Sequence, residues 1–159
     1  MNLDKLSKIL EKEPAFRKKQ ADQAIFQDLV ENWLEVKTLP LDLRKKLDKE
    51  CPLKIDSQAT VSQDEKAIKA LVIFNDGQKV ETVLMRHGDG RNTICVSSQV
   101  GCPLGCVFCA TGKLGFKRNL KSMEIVEQAL FFARYLKTKS PARIATQSVA
   151  GGEKVTNIV

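Results

Sequence analysis

Three cysteines within eight residues most limit what this chain can fold into. Cys102, Cys106 and Cys109 have Cys-x3-Cys-x2-Cys spacing, and glycines and a proline between them let the backbone turn tightly. Thiolates at that density bind a soft metal centre, either zinc or an iron–sulfur cluster. Because a closed structural site normally takes four protein ligands, three cysteines favour a four-iron cluster with one open iron. We expect Phe108, beside the third cysteine, to shield one side of that cluster.

Zinc is the main alternative to an iron–sulfur cluster. A closed zinc site would need a fourth ligand, for which His87 and Cys95 are the candidates. The histidine stands beside a glycine in a predicted turn, where an exposed turn residue is the more ordinary interpretation. The spacing therefore indicates a metal centre and favours the cluster, while zinc stays open.

The segments around the cysteines resemble a known family. An aromatic residue before the last cysteine is similar to the radical S-adenosylmethionine (radical SAM) signature. The segments 95–102, 108–112 and 115–120 resemble the RlmN/Cfr family, which methylates carbon 2 or carbon 8 of adenine in ribosomal RNA. Its RlmN branch also acts on some transfer RNAs. Segments 13–20 and 39–47 resemble the small N-terminal accessory domain of the same family, which helps to hold RNA.

The resemblance implies a mechanism and a role for each site residue. Cys102, Cys106 and Cys109 would ligate a 4Fe-4S cluster that binds S-adenosylmethionine (SAM), with Phe108 beside the cofactors and an electron donor such as flavodoxin or ferredoxin. A carbon radical made from a methylated later cysteine would add to adenine. Glu81, by default a surface carboxylate, would accept the proton from the adenine carbon. Cys95 would resolve the protein–RNA adduct by forming a disulfide with the later cysteine.

Charge and composition indicate the partners. The net charge of +7 implies an anionic partner, most commonly nucleic acid. Lys113, Lys117 and Arg118 follow the cysteines and are candidate contacts to RNA phosphates, the alternative being an ordinary basic loop. No apolar run is long enough to span a membrane, and the N-terminus lacks the apolar core of a signal peptide. Five cysteines without an export signal predict a cytoplasmic protein, and we expect a monomer.

Hydrophobic periodicity and the resemblance together predict an α/β fold. We expect a helical accessory domain over residues 1–58, followed over 59–159 by a β-meander and the first βαβ unit of a partial radical SAM barrel. Four helices are predicted: one ending at Pro14, one over 15–36, one starting at Pro40 and one over 122–137. A linker is predicted over 51–66, and strands over 67–74, 80–86 and 92–98. A break at Pro141 and Gly151–Gly152 precedes a last strand that starts at Val155.

Two cysteines outside the loop receive weaker assignments. Cys51 lies on the predicted linker and should be replaceable. Strand spacing predicts that Cys95 is a buried core thiol. The resemblance also implies that the methyl-carrying cysteine and the glycine-rich SAM segment would lie beyond Val159. We therefore expect a truncated enzyme that is inactive alone; the alternatives are a non-catalytic RNA-binding fragment and a zinc-stabilised RNA-binding protein.

Overall fold

The computed structural model describes residues 3–139 and 154–159, and it divides into two compact units, Met1–Ile55 and Asp56–Val159. The first is helical and the second contains the sheets. In the part of the chain that is described, no helix is long and apolar enough to cross a membrane. The break predicted at Pro141 and Gly151–Gly152 lies outside the described residues.

Leucine and isoleucine spacing builds the helical unit. Its elements are α1 (Leu3–Leu10), α2 (Ala15–Phe26), a short 3₁₀ helix (Trp33–Glu35) and α3 (Leu41–Glu50). Proline precedes both α2 and α3, where its missing N–H costs the helix nothing. The apolar side chains buried here are Leu6, Ile9, Leu10, Ala21, Ala24, Ile25, Trp33, Val36, Leu39, Leu43, Leu47, Cys51 and Leu53.

The helix predicted over 15–36 is wrong beyond Phe26. The Val30 amide bonds back to the Ala24 carbonyl at 3.0 Å, and Leu29 between them takes a positive φ of 54°. That left-handed residue ends the helix. The Asn32 side chain then caps the 3₁₀ helix by accepting from the Leu34 amide at 2.8 Å. Three large apolar residues within the predicted range are exposed: Phe16, Phe26 and Leu34.

The predicted linker over 51–66 contains structure at both ends. Cys51 is buried, and its carbonyl accepts the Trp33 indole N–H at 2.7 Å, so it belongs to the helical core. Burial raises the pKa of the Cys51 thiol. Farther on, β1 (Ser57–Val61) pairs with the next strand. This strand is polar and mostly exposed, so it lacks the apolar alternation that marks a half-buried strand.

In residues 56–139 and 154–159, the second unit is built on a five-stranded sheet. Its order is β1, β2 (Ala67–Ile73), β3 (Lys79–Arg86), β4 (Asn92–Cys95) and, after the intervening elements, β7 (Asn157–Ile158). The first four strands form the predicted antiparallel meander, while β7 pairs parallel to β4. The β2–β3 turn contains Gly77 at a φ of 77°. The third strand of the predicted meander is shorter than expected, because the ladder to β3 stops at Cys95.

Helix α5 (Ser122–Lys139) supplies the connection from β4 to β7. Its Phe132 and Leu136 pack in one core with Ile68, Leu84 and Ile94 of the sheet. Strand, helix and parallel strand form the predicted βαβ unit. The α/β fold is thus confirmed, and the segment between β4 and α5 leaves the carboxyl end of β4.

Candidate functional site

The cysteines lie on a loop that is closed at its base by a small two-stranded sheet. Strands β5 (Gln99–Val100) and β6 (Arg118–Asn119) pair antiparallel, and the residues between them, 101–117, form what we call the cysteine loop. The two ends of the loop approach closely at Gly101, where a Cβ atom would lie 1.7 Å from the Gly115 carbonyl oxygen. Gly101 also has a φ of +73°, which favours glycine.

The three thiols of the loop are free and half-buried. The Cys109 amide donates to the Cys106 carbonyl at 3.0 Å, and the short helix α4 (Ala110–Lys113) follows directly. A Cβ at the buried Gly112 would lie 3.1 Å from the Cys106 amide nitrogen, so the glycine lets this helix pack against the loop. Across residues 3–139 and 154–159, no three His, Cys, Asp or Glu side chains converge in the way a metal ion requires.

The chemistry of the donor set nevertheless fits a thiophilic centre. Cys102, Cys106 and Cys109 are free thiols on one loop that contains no carboxylate and no histidine. Gly101 and Gly105 both have positive φ, which supplies the tight bends that a wrapped loop needs. Soft thiolates suit zinc or an iron–sulfur cluster, so the cluster stays a prediction for these residues.

The tip of the cysteine loop exposes apolar side chains. Phe108 is 89% exposed, so in this structure the residue predicted to shield the cluster faces solvent. The other large apolar side chains that the loop exposes are Leu104, Val107, Leu114 and Phe116. Five large apolar side chains of the cysteine loop are therefore exposed to solvent in this structure.

Register brings Glu81 and Cys95 to one face of the sheet. Cys95 pairs directly with Val83, and Glu81 lies two residues before Val83, so the two side chains are diagonal neighbours. Both are exposed, whereas Leu84 and Ile94 on the opposite face are fully buried. The prediction from strand spacing that Cys95 is a buried core thiol is therefore wrong. It lies on the sheet face away from α5.

Side chains fix the backbone on both sides of Cys95. The Thr82 hydroxyl donates to the Cys95 carbonyl at 2.7 Å, and the Ser97 hydroxyl donates to the Glu81 carbonyl at 2.7 Å. Lys69, from the neighbouring strand, forms an exposed ion pair with Glu81 at 3.0 Å. Sequence reasoning missed all three positioning residues, because each contact depends on strand register.

The three candidate RNA-contacting cations differ in their surroundings. Lys113 and Lys117 are exposed and have no ion-pair partner among the residues described. Arg118 donates two hydrogen bonds to the Glu124 carboxylate at 2.7 and 2.8 Å, and it pairs with Asp76 at 2.7 Å. These bonds lower the pKa of Glu124 and raise that of Arg118. Arg118 thus ties the base of the cysteine loop to the β2–β3 turn and to α5, and its contact to RNA phosphates stays a prediction.

The alternative zinc ligand His87 is half-buried in its turn rather than exposed. Its Nε2 lies 3.1 Å from the Thr93 hydroxyl. Cys95, the other candidate, is exposed on its strand. In the described structure neither residue joins the loop thiols in a metal-binding group.

Proteins similar to this chain include RNA methyltransferases. The chain is 39% identical over 147 residues to the probable dual-specificity RNA methyltransferase RlmN of Dictyoglomus turgidum, covering 92% of this chain and 38% of that protein. It is 39% identical over 147 residues to the ribosomal RNA large subunit methyltransferase Cfr of Bacillus velezensis, covering 91% and 41%. The crystal structure of a radical SAM methyltransferase from Sphaerobacter thermophilus matches 99% of this chain and 44% of that one, with a TM-score of 0.80 and 34% identity.

The chain is a homologue of the RlmN/Cfr methyltransferases. No protein-family model matches it. The chain spans about two fifths of the length of the RlmN and Cfr relatives that it matches. The homology confirms the family resemblance and the radical SAM methyltransferase fold, while the roles of individual site residues stay predictions.

Proposed function

We propose that this chain is the cluster-bearing part of a radical SAM enzyme that methylates carbon 2 of adenine in ribosomal RNA, and in some transfer RNAs. The observation that carries the proposal is the RlmN/Cfr homology over nearly the whole chain, combined with three free thiols on one loop after β4. In parallel α/β barrels, the chemistry lies on loops that leave the carboxyl ends of strands. The cysteine loop has that place in the βαβ unit.

The cysteine loop would hold the cofactors. Cys102, Cys106 and Cys109 would ligate a 4Fe-4S cluster, with Phe108 beside the bound SAM. When bound, the reduced cluster supplies the electron that starts radical chemistry on SAM. The loop's own contribution is to hold three soft ligands within eight residues on a backbone that glycines allow to bend.

Glu81 and Cys95 would act on the substrate from the exposed face of the sheet. The Glu81 carboxylate would take the proton from the adenine carbon, and Cys95 would release the product by attacking the sulfur that carries the adduct. Their diagonal placement across β3 and β4 supports a shared site, because one bound base can lie within reach of both. Lys69 would hold the Glu81 carboxylate in place through its ion pair.

RNA would bind through exposed cations on both units. Lys113 and Lys117 are exposed and have no ion-pair partner among the described residues, so both ammonium groups are available to RNA phosphates. In the helical accessory domain, proposed over residues 1–58, the exposed Phe16 ring carries the Arg17 guanidinium 4.7 Å from its centroid. Exposed aromatic and arginine planes are the surfaces on which unpaired bases stack.

The cellular setting follows from the chemistry of the site. Five free cysteines and an iron–sulfur centre suit a reducing cytoplasm. A one-electron donor such as flavodoxin or ferredoxin would reduce the cluster. We propose that the protein works as a monomer.

A chimera tests the proposed function. This chain replaces the matching residues of the Dictyoglomus turgidum relative, and the reconstituted protein receives reductant, SAM and ribosomal RNA. Digestion of the RNA should yield 2-methyladenosine. Matched chimeras carrying Cys106→Ala, Glu81→Gln or Cys95→Ala should yield at least a hundredfold less.

The outcomes of the chimera assay separate the candidate functions. No product from a chimera that loads iron, with an active parent relative run in parallel, would leave a non-catalytic RNA-binding role. Product from the Cys106→Ala chimera would overturn the cluster assignment. The 159-residue chain is assayed beside the chimera, and we expect it to yield no product alone.

A further inference from the structure

One buried amide joins helix α5 to the chain just before the cysteine loop. The Gln128 side chain is fully buried, which is rare for glutamine. Its Oε1 accepts from the Ser97 amide at 2.8 Å, and its Nε2 donates to the Ser97 carbonyl at 2.9 Å and to the Glu124 carbonyl at 3.1 Å. Both donor hydrogens and the acceptor are therefore used inside the protein.

Ser97 lies between the end of β4 and β5, the strand that leads into the cysteine loop. The β3–β4 ladder ends with the Val83–Cys95 pair, and continuing the register would bring Ser97 opposite Glu81. There the Ser97 hydroxyl, rather than its backbone, bonds to the Glu81 carbonyl. The backbone N–H and C=O of Ser97 both pair with Gln128 instead. The side-chain amide of Gln128 thus makes the two hydrogen bonds that the backbone of a neighbouring strand would otherwise make.

The same part of α5 also holds the other end of the loop. Glu124, one turn before Gln128, receives two hydrogen bonds from Arg118 on β6 and one from the Lys121 amide at 2.8 Å. One and two turns after Gln128, Phe132 and Leu136 pack in the sheet core. The helix that carries these anchors is therefore itself fixed by apolar packing.

We propose that Gln128 is a positioning residue that sets where the cysteine loop and Cys95 lie relative to Glu81. Its two bonds to Ser97 fix the direction in which the chain leaves β4, and Glu124 fixes the direction of return. The loop is then held at both ends by one rigid helix, while its cysteine-bearing middle can adjust to the cluster. This inference rests on the proposed function only for the identity of the group that the loop binds. The hydrogen bonds that anchor the loop do not depend on that function.

The test compares Gln128→Met with Leu136→Ala in the 159-residue chain. Methionine has a similar length but leaves both Ser97 backbone groups unpaired. Leu136→Ala is the matched control, because it weakens the same helix from its core side and touches no loop residue that carries the anchoring bonds. We expect amide hydrogen exchange in residues 96–100 to rise at least tenfold in Gln128→Met relative to β2, and not in the control. Iron bound after anaerobic reconstitution should fall by more than half in Gln128→Met alone.

The two measurements fail in distinguishable ways. If the unaltered chain binds no iron, the proposed cluster fails, and the exchange comparison still decides the positioning claim. Unchanged exchange in residues 96–100 of Gln128→Met overturns the proposal, as does an equal loss of iron in the control. Should the methionine variant not fold, Gln128→Leu provides the same comparison, because a leucine side chain is also apolar and can bond to neither backbone group of Ser97.

Discussion

Replacing Gly101 by alanine tests the close approach of the two ends of the cysteine loop. The added Cβ would lie 1.7 Å from the Gly115 carbonyl oxygen and 2.9 Å from its carbonyl carbon, so the backbone itself must move. The positive φ of +73° adds a cost of about 1–2 kcal/mol for any L side chain. A forced backbone shift costs about 1–3 kcal/mol more. We expect the free energy of unfolding to fall by about 2–5 kcal/mol.

Gly115→Ala is the matched control for that substitution. Gly115 also has a positive φ, of +67°, but an added Cβ there would meet no atom within 4 Å, so the expected loss is about 1–2 kcal/mol. Urea unfolding should be followed by circular dichroism. Tryptophan fluorescence would report on the wrong unit, because Trp33, the single tryptophan, lies in the helical unit and Gly101 lies in the second. Equal losses for the two substitutions would refute the close approach.

Three further predictions follow from the site. Replacing any one of the three loop cysteines by alanine should abolish iron binding, whereas Cys51→Ala should bind iron normally. Because the buried Cys51 thiol packs in the helical core, its replacement should lower the free energy of unfolding in urea by about 1 kcal/mol. Hydrogen bonds from Arg118 lower the folded-state pKa of Glu124, so this carboxylate stabilises the fold above its unfolded pKa and loses that effect as the pH falls below about 4. Glu124→Gln should therefore make the free energy of unfolding depend less on pH in the acid range. An unchanged pH dependence would contradict the pairing with Arg118. Lys117→Glu should weaken binding to unrelated RNA sequences and reduce the salt slope by about one, measured by fluorescence anisotropy, while Lys66→Glu, exposed in the β1–β2 turn at the other end of the sheet from Glu81, serves as the control of equal charge change.

Local patterns predicted the regular elements well. Leu43 and Leu47 of α3 are buried as their spacing indicates. The turn at Gly77 joins two strands whose alternation was clear. The second helix was predicted too long because its apolar residues continue at helical spacing past Phe26. Only the left-handed Leu29 and the Asn32 cap end it, and the Asn32 cap was the available signal.

Contacts between distant residues were the part that sequence reasoning could not supply. Arg118 looked like one more cation of a basic run, yet it meets Asp76 and Glu124 from two other elements. The sequence analysis gave Gln128 no role, because its burial depends on the place where β4 ends and Ser97 leaves the sheet. Cys95 was assigned to the wrong face of its strand, because a four-residue strand carries too little alternation to define its faces.

The metal content of the chain after anaerobic reconstitution with iron and sulfide decides whether the cysteine loop holds a 4Fe-4S cluster. Iron, sulfide and zinc should be measured per chain, together with the Mössbauer spectrum. We expect about four irons and four sulfides per chain, with all iron lost in Cys102→Ala, Cys106→Ala or Cys109→Ala. A single tightly bound zinc with no iron, or iron that survives these substitutions, would contradict the cluster assignment.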